Sequence, residues 1–279
     1  MNGFSRHLRL TTLVICCSWY ATAGAQAVSP GINTELGAGF ESFLWEEYDD
    51  GDNRLLTESG PRVFLSGIIS NAFDNTGNNF ILEAAVKAYA GKVDYDGQDN
   101  NGISVGSKTR YAGYSLELTG GYRIRNSLDV DILAGAGVNA WSREISDSQN
   151  AVGSPVNGIL EEYTIQYFTL AAGFPLQFSS HEGYLKIGLR RPFATRERVD
   201  RFDVTLAPHE KNSGMASYKF LFDNHKSVSS PLSSITIYYE GFRFDKSPAK
   251  AAVLNGTPVQ VRQPRSYMDI VGFTIGHTF

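Results

Sequence analysis

Cysteine is almost absent from this chain of 279 residues. Its two cysteines, Cys16 and Cys17, lie inside an apolar run over 10–20 that follows a basic start and precedes small residues. This pattern is typical of a cleavable secretory signal, predicted to occupy residues 1–25. A lipid-attachment cysteine normally follows a small residue, and Ile15 precedes Cys16, so lipidation is not expected. The remaining chain has no thiol, which excludes disulfides and thiolate metal sites.

Long apolar stretches and charge are also scarce. After residue 25 no uninterrupted apolar stretch reaches the roughly twenty residues that a membrane-spanning helix needs, which excludes a helical membrane protein. Charged residues make up 19% of the chain and the formal net charge is −4, so no nucleic-acid partner is expected. Glycine, tyrosine and phenylalanine are plentiful, which suits many strands with aromatic girdles. We predict one all-β domain over 26–279.

The last twelve residues, 268–279, alternate apolar residues with small or polar ones and stop on Phe279. A strand with no flanking loop satisfies its backbone by pairing with the first strand of a closed barrel. The segment resembles the last strand of a Gram-negative outer-membrane β-barrel, with Phe273 and Ile275 on the face of Phe279. The resemblance implies an outer-membrane location among lipid and lipopolysaccharide. It also implies that the barrel-insertion machinery reads Phe273, Ile275 and Phe279.

Other segments repeat this alternation. Leu36, Ala38 and Phe40 fall on one face of the first candidate strand, and Glu35 and Glu41 fall on the other. The segment 127–142 opposes alanines and branched residues to aspartates and glycines in the same way. Apolar residues toward lipid and polar residues toward a lumen are the expected pattern of a transmembrane antiparallel barrel.

Counting such segments predicts ten strands, and eight or twelve strands stay open as alternatives. An even number closes the barrel with both ends on one side of the membrane, and connections then alternate in length. Acidic and glycine-rich segments at 49–53 and 99–102 are turn formers. The predicted strands are 31–45, 61–71, 79–94, 108–125, 127–142, 161–178, 183–195, 214–223, 233–244 and 266–279.

Charged residues at inward positions carry the functional prediction. Both signs occur in similar number, and a ten-stranded barrel has little internal width, so opposite charges are expected to pair and plug the lumen. A narrow path for ions or small solutes is the alternative. Trp45, Trp141, Tyr238 and Tyr239 are predicted as interface or lumen-rim residues. The predicted lumen charges are Glu35, Glu41, Glu83, Lys87, Glu117, Arg123, Arg125, Asp129, Asp131, Lys186, Arg190, Lys219 and Glu240.

Enzymatic alternatives rest on a resemblance to the omptin proteases, which are ten-stranded barrels that activate water between an acidic pair and an Asp/His pair. Asp94 and Asp96 with His209 and Glu210 resemble this arrangement, but His209 adjoins Glu210 where an Asp-x-His spacing is expected. A lipid-directed hydrolase would need a triad, and His277 is better explained as a girdle residue. No enzymatic activity is therefore predicted.

Metal binding has one weak candidate in the alternating acids of 94–99, which lack the glutamate that an EF-hand carries at its twelfth position. A solvated loop is the simpler interpretation, and no cofactor is predicted. Segments 45–49, 55–61 and 239–248 resemble uncharacterised outer-membrane barrels, and Arg243 is a candidate partner for Glu58 or Glu240 at the rim. We expect a non-enzymatic barrel with a structural or surface-interaction role; its oligomeric state stays open.

Overall fold

A computed structural model describes residues 32–72, 79–99, 101–125, 129–178, 182–222, 232–254 and 256–279. The predicted signal at 1–25 lies outside these residues. Within them, no helix has the length and apolar content that a membrane crossing requires.

Sixteen strands occur in the described residues, and ten long ones form a single closed barrel. Each barrel strand pairs antiparallel with its neighbours, and the first pairs with the last, which confirms the predicted all-β barrel of ten strands. The barrel strands are β1 (Ile32–Tyr48), β2 (Arg54–Ala72), β3 (Phe80–Gln98), β4 (Ser104–Ile124), β5 (Val130–Ile145), β8 (Ile159–Gln177), β9 (Glu182–Val199), β12 (Ser213–Leu221), β13 (Ser234–Asp245) and β16 (Arg265–Thr278).

The other six strands are short and lie at one end of the barrel, called here the loop end. Four of them form two separate hairpins, β6 with β7 and β14 with β15. The other two extend the wall, β10 beside β9 and β11 beside β13. They are β6 (Ser148–Gln149), β7 (Pro155–Val156), β10 (Val204–Leu206), β11 (His209–Lys211), β14 (Lys250–Leu254) and β15 (Thr257–Val261).

The outer wall is apolar around its middle. Phe40, Leu65, Leu170 and Ile275 expose 55%, 68%, 62% and 51% of their surface, although they lie within long strands. Their sequence neighbours point into the barrel and are buried or half-buried. An apolar band outside and polar side chains inside is the inverse of a water-soluble fold and is the pattern of a barrel in lipid.

Several strands run farther toward the loop end than predicted. The connection predicted at 46–60 shrinks to a turn at 49–53, where Asp49 accepts hydrogen bonds from the backbone N–H groups of Gly51 and Asn53 at 2.8 Å each. Beyond the apolar band both faces of the wall carry polar residues. Apolar alternation therefore ends before the strands do, which is why the sequence placed their ends too early.

A β-bulge interrupts β9. Gln166 of β8 lies opposite Ala194, and the next residue, Tyr167, lies opposite Pro192, so Phe193 is the extra residue. The bulge reverses which positions face inward along the rest of β9. Arg190 before it and Glu197 after it both face the lumen and are buried.

Closure of the barrel generates a test of the last strand. The backbone N–H of Phe279 donates to the carbonyl oxygen of Thr34 at 2.9 Å, while its exposed ring contacts only His277 edge-on among the rings described. A Phe279→Ser variant keeps the backbone bond and loses the ring. We expect unchanged refolding of the purified chain in detergent, but a reduced heat-shifted gel band from cell outer membranes. Equal amounts of folded wild type and variant in cells would contradict a role of this ring in insertion.

Candidate functional site

The lumen brings together most of the charges predicted to face it. Eleven of the thirteen predicted residues lie on inward faces, and their partners reach across the barrel. They are Glu35, Glu41, Glu83, Lys87, Glu117, Arg123, Asp131, Lys186, Arg190, Lys219 and Glu240.

The other two predicted lumen residues lie beyond the strand ends. Arg125 follows β4, is exposed, and donates from Nε to Oδ1 of Asn79 at 3.0 Å. Asp129 precedes β5 and is half-buried. For both residues, inward alternation was extrapolated beyond the bounds of the strand.

A six-charge network crosses the middle of the lumen. Three carboxylates alternate with three cations, so the network is electrically neutral. Lys87 bridges Glu41 and Glu240 at 3.3 and 3.2 Å, and Arg190 bridges Glu240 and Glu117 at 3.2 and 3.0 Å. Arg62 pairs with the remaining oxygen of Glu41. The six residues come from six different strands, so the network ties opposite walls together.

Smaller ion pairs fill the end of the lumen opposite the loops. Asp131 accepts two hydrogen bonds from Arg123, at 2.7 and 3.0 Å, and one from the Tyr184 hydroxyl at 2.8 Å. Glu35 pairs with Lys219, and Glu83 lies 3.7 Å from Lys186 on the far wall. Each cation in this layer therefore faces an acid.

Aromatic side chains fill the lumen above the six-charge network, toward the loop end. Trp141 stacks on Tyr163 with ring centroids 4.8 Å apart, and Trp45 meets Tyr163 edge-on at 5.5 Å. Phe244 lies 6.2 Å from Trp45 on the other side. Trp45 is 1% exposed and Trp141 is 5% exposed, so both are core residues of the lumen, and the prediction that they lie at an interface or rim was wrong.

The two tyrosines predicted beside these tryptophans face opposite ways. Tyr238 lies in the lumen and donates to Glu41 at 2.7 Å, whereas Tyr239 faces outward and donates to Asp269 at 2.6 Å. Arg243 also faces outward and donates to Asp269 at 2.6 Å. The expected pairing of Arg243 with Glu58 or Glu240 was therefore wrong, because both glutamates face the lumen.

A second charged cluster, the Arg143 cluster, caps the aromatic layer at the loop end. The Arg143 guanidinium contacts Glu47 at 3.2 Å, Glu58 at 3.0 Å and Glu161 at 2.6 Å. Hydroxyls of Thr109 and Tyr111 donate to Glu58, the Trp45 indole N–H to Glu47, and the Tyr163 hydroxyl to Glu161. This cluster is buried despite its charge: the Arg143 and Glu58 side chains are 2% and 0% exposed.

Sequence reasoning missed this cluster because Glu47, Glu58 and Arg143 fall in segments predicted as loops. Glu47 continues the inward positions of Glu41 and Trp45 in β1, and Arg143 continues those of Asp131 and Trp141 in β5. The same alternation, followed two residues farther along each strand, would have found both. At these positions the alternation is visible only in the inward-facing residues, because the outward-facing residues beyond the apolar band are no longer apolar.

The loops above the Arg143 cluster are tied to one another. Asp99 accepts hydrogen bonds from the Asn150 amide and from the backbone N–H of Ile103, each at 2.9 Å, and these lower the pKa of Asp99. Lys246 and Arg262 contact Asp50 at 2.9 and 3.2 Å, and they lower the pKa of that carboxyl.

Two cavities open between these loops, of about 410 and 470 Å³. Tyr95, Asn150 and Arg201 contribute to the first, and Phe202 and Arg262 contribute to the second. The loop end therefore presents concave surfaces lined by both polar and apolar side chains.

The residues compared with an omptin centre do not meet. Asp94 and Asp96 face outward on β3, where Lys108 pairs with Asp94. His209 lies on β11, which pairs with β13 on the far side of the barrel, and is exposed. In the part of the chain that the structure describes, no group of three or more His, Cys, Asp or Glu side chains is placed to hold a metal ion.

Comparison with known proteins gives a fold. No family model matches the chain, and no curated protein matches it. The crystal structure of the outer-membrane protease OmpT from Escherichia coli is similar, with a TM-score of 0.59 and 12% identity over 92% of this chain and 100% of that chain. The beta domain of the Bordetella autotransporter BrkA is also similar over 86% and 98% of the two chains, with a TM-score of 0.41 and 12% identity.

At these identities the likeness to OmpT shows a shared fold alone. That fold agrees with the apolar outer wall, the antiparallel closure and the charged interior. The chain is therefore a ten-stranded β-barrel of the bacterial outer-membrane class.

Proposed function

We propose that this chain is a non-enzymatic, non-conducting outer-membrane barrel whose loop end is a rigid surface for interaction outside the cell. Bacterial barrels place their long loops on the extracellular side, which assigns the loop end to that side. The observation that carries the proposal is the six-charge network, which joins six strands across the middle of the lumen.

The physical support for a closed lumen is the cost of separating these charges. A conducting path needs water between the walls, and a barrel of eight strands is already about filled by its own side chains. Here Arg190 lies between Glu117 and Glu240. Lys87 lies between Glu41 and the same Glu240. Removing one partner from a buried pair leaves an uncompensated charge, so the closed arrangement is strongly favoured. The aromatic side chains around Trp45 fill the lumen at a second level, nearer the loop end.

The support for surface interaction comes from the loop end. Its loops are held by side-chain contacts between separate segments, such as Asn150 with Asp99 and Lys246 with Asp50. Ordered loops lose less conformational entropy on binding than mobile ones do. The two cavities between them offer places for a ligand or for a protruding side chain of a partner.

The support for a non-enzymatic role is the separation of the candidate catalytic groups. A general base must lie within hydrogen-bond reach of its reacting partner, directly or through one water. Asp94 and His209 stand on opposite walls and both point away from the lumen. Lipid and lipopolysaccharide around the apolar band, and the insertion machinery during assembly, are the partners that we propose for the barrel itself.

Single-channel recording of the refolded chain in planar bilayers tests the closed lumen. We expect no discrete openings from protein that shows the heat-dependent gel shift of a folded barrel. An Arg190→Ala, Lys87→Ala double variant leaves Glu240 without either cation, and we expect intermittent cation-selective openings from it because the carboxylates then repel one another. Steady openings of the wild type would contradict the proposal and would favour a narrow pore.

Loss of the Arg143 guanidinium tests the rigidity of the loop end. In Arg143→Met the buried Glu47, Glu58 and Glu161 lose their shared cation, and we expect the free energy of unfolding to fall by about 3 kcal/mol or more. Urea unfolding in lipid vesicles measures this change. The control is Arg54→Met, because the exposed pair of Arg54 with Glu46 is expected to contribute about 0.5 kcal/mol or less. Similar effects of the two substitutions would contradict a structural role for the cluster.

A further inference from the structure

A shallow groove crosses the outer wall from β16 over β1, β2 and β3 to β4, within the apolar band. Its volume is about 760 Å³. Three small residues, Ala88, Ala90 and Ala112, contribute to its lining, while larger exposed side chains rise beside them. Ala90 and Ala112 lie directly opposite each other on β3 and β4, so two adjacent methyl side chains leave one depression between larger neighbours. The larger lining residues include Phe40, Val63 and Leu65.

Two cations lie on the loop-end side of these alanines, which form the floor of the groove. Lys92 and Arg110 are the next outward positions after Ala90 and Ala112 toward the loop end, and they too face each other across β3 and β4. Like charges at directly opposite positions repel and destabilise a strand pair. An anion between Lys92 and Arg110 would relieve this repulsion at the edge of the apolar band.

Neighbouring acids neutralise only part of this charge. Arg110 pairs with Glu144 of β5 at 2.9 Å, and the next outward pair, Asp94 with Lys108, is neutral within itself. The Lys92 side chain is exposed, and its ammonium has no ion pair or hydrogen bond within the described residues. One full positive charge remains at the boundary between the apolar groove and the polar wall.

We propose that this groove binds a phosphate-bearing acyl lipid of the outer leaflet, an inference that rests on the extracellular orientation of the loop end proposed above. The phosphate would lie between Lys92 and Arg110, and one acyl chain would lie along the alanine floor. Anionic headgroups attract basic side chains at a membrane surface, and the filled groove buries apolar area. The order of the features along the wall, cations above and groove below, matches the order of headgroup and chain in a lipid inserted from outside.

A lipid fits both features better than a second copy of the barrel does. A neighbouring barrel could fill the groove with apolar side chains, but it would also have to bring an acid to Lys92 at the edge of the apolar band. A phosphorylated lipid supplies the anion and the chain in one molecule. Its chains already surround the band, so binding requires only that one of them occupies the groove.

Native mass spectrometry of the refolded full chain in zwitterionic detergent tests the proposal. The probes are lipid A bisphosphate and the same lipid with its phosphates removed. We expect the wild type to retain the bisphosphate and to bind the dephosphorylated form at least about tenfold more weakly, as the loss of contacts near two cations predicts. Equal retention of the two lipids, or of neither, would overturn the proposal.

Matched variants locate the site. Lys92→Glu should lower retention of the bisphosphate at least about tenfold, and Ala90→Leu should lower it by filling the groove. The controls are Lys250→Glu, on an exposed hairpin, and Ala136→Leu, on the outer face of β5, and both should bind like the wild type. Lys92→Gln serves in place of Lys92→Glu if the latter fails the gel-shift test. Unchanged binding by the Lys92 variant, or a lipid-free dimer that Ala90→Leu abolishes, would overturn the proposal.

Discussion

Charge pairing inside a narrow barrel is the constraint on which the rest of the structure depends. A lumen that faces away from lipid can hold polar side chains, but ten strands leave too little room to hydrate each of them. Here the acids and bases alternate across the middle of the lumen, so that Lys87, Arg190 and Glu240 each contact two opposite charges. The same contacts that satisfy these groups also join the walls of the barrel across the lumen.

The layers above follow from this arrangement. The aromatic side chains around Trp45 separate the neutral network from the Arg143 cluster, where carboxylates share one guanidinium and neutral hydroxyl, indole and amide donors supply the remaining hydrogen bonds. Buried acids become tolerable when several donors converge on each of them. This cluster extends the packed interior into the segment of wall whose outer face is polar, and the loops above it are fixed by their own ion pairs. The loop end is thus held by contacts that begin in the lumen and continue through the Arg143 cluster into the loops.

The fold was predictable from sequence where a single physical rule acted alone. Lipid on one side and a polar lumen on the other impose strict alternation, which gave the ten strands and the inward positions of Glu41, Lys87 and Glu240. Prediction failed where the environment changed along a strand. Beyond the apolar band the outward face loses its signal, so Glu47 and Arg143 were assigned to loops, and the bulge at Phe193 broke the alternation of β9. The contact of Trp45 with Trp141 joins two strands that face each other only after the barrel has closed. The alternation within one strand carries no information about such contacts.

The most direct test of a closed lumen is the accessibility of a single thiol placed within it. The native cysteines lie only at positions 16 and 17, and Thr169 is 3% exposed at mid-lumen opposite Arg190. A Thr169→Cys variant of the folded barrel should resist a charged, water-soluble maleimide from either side for as long as the barrel stays folded, whereas Gly153→Cys in an exposed loop should react at once. Rapid labelling of Thr169→Cys, at the rate of the loop control, would contradict the account, because water would then pass the six-charge network.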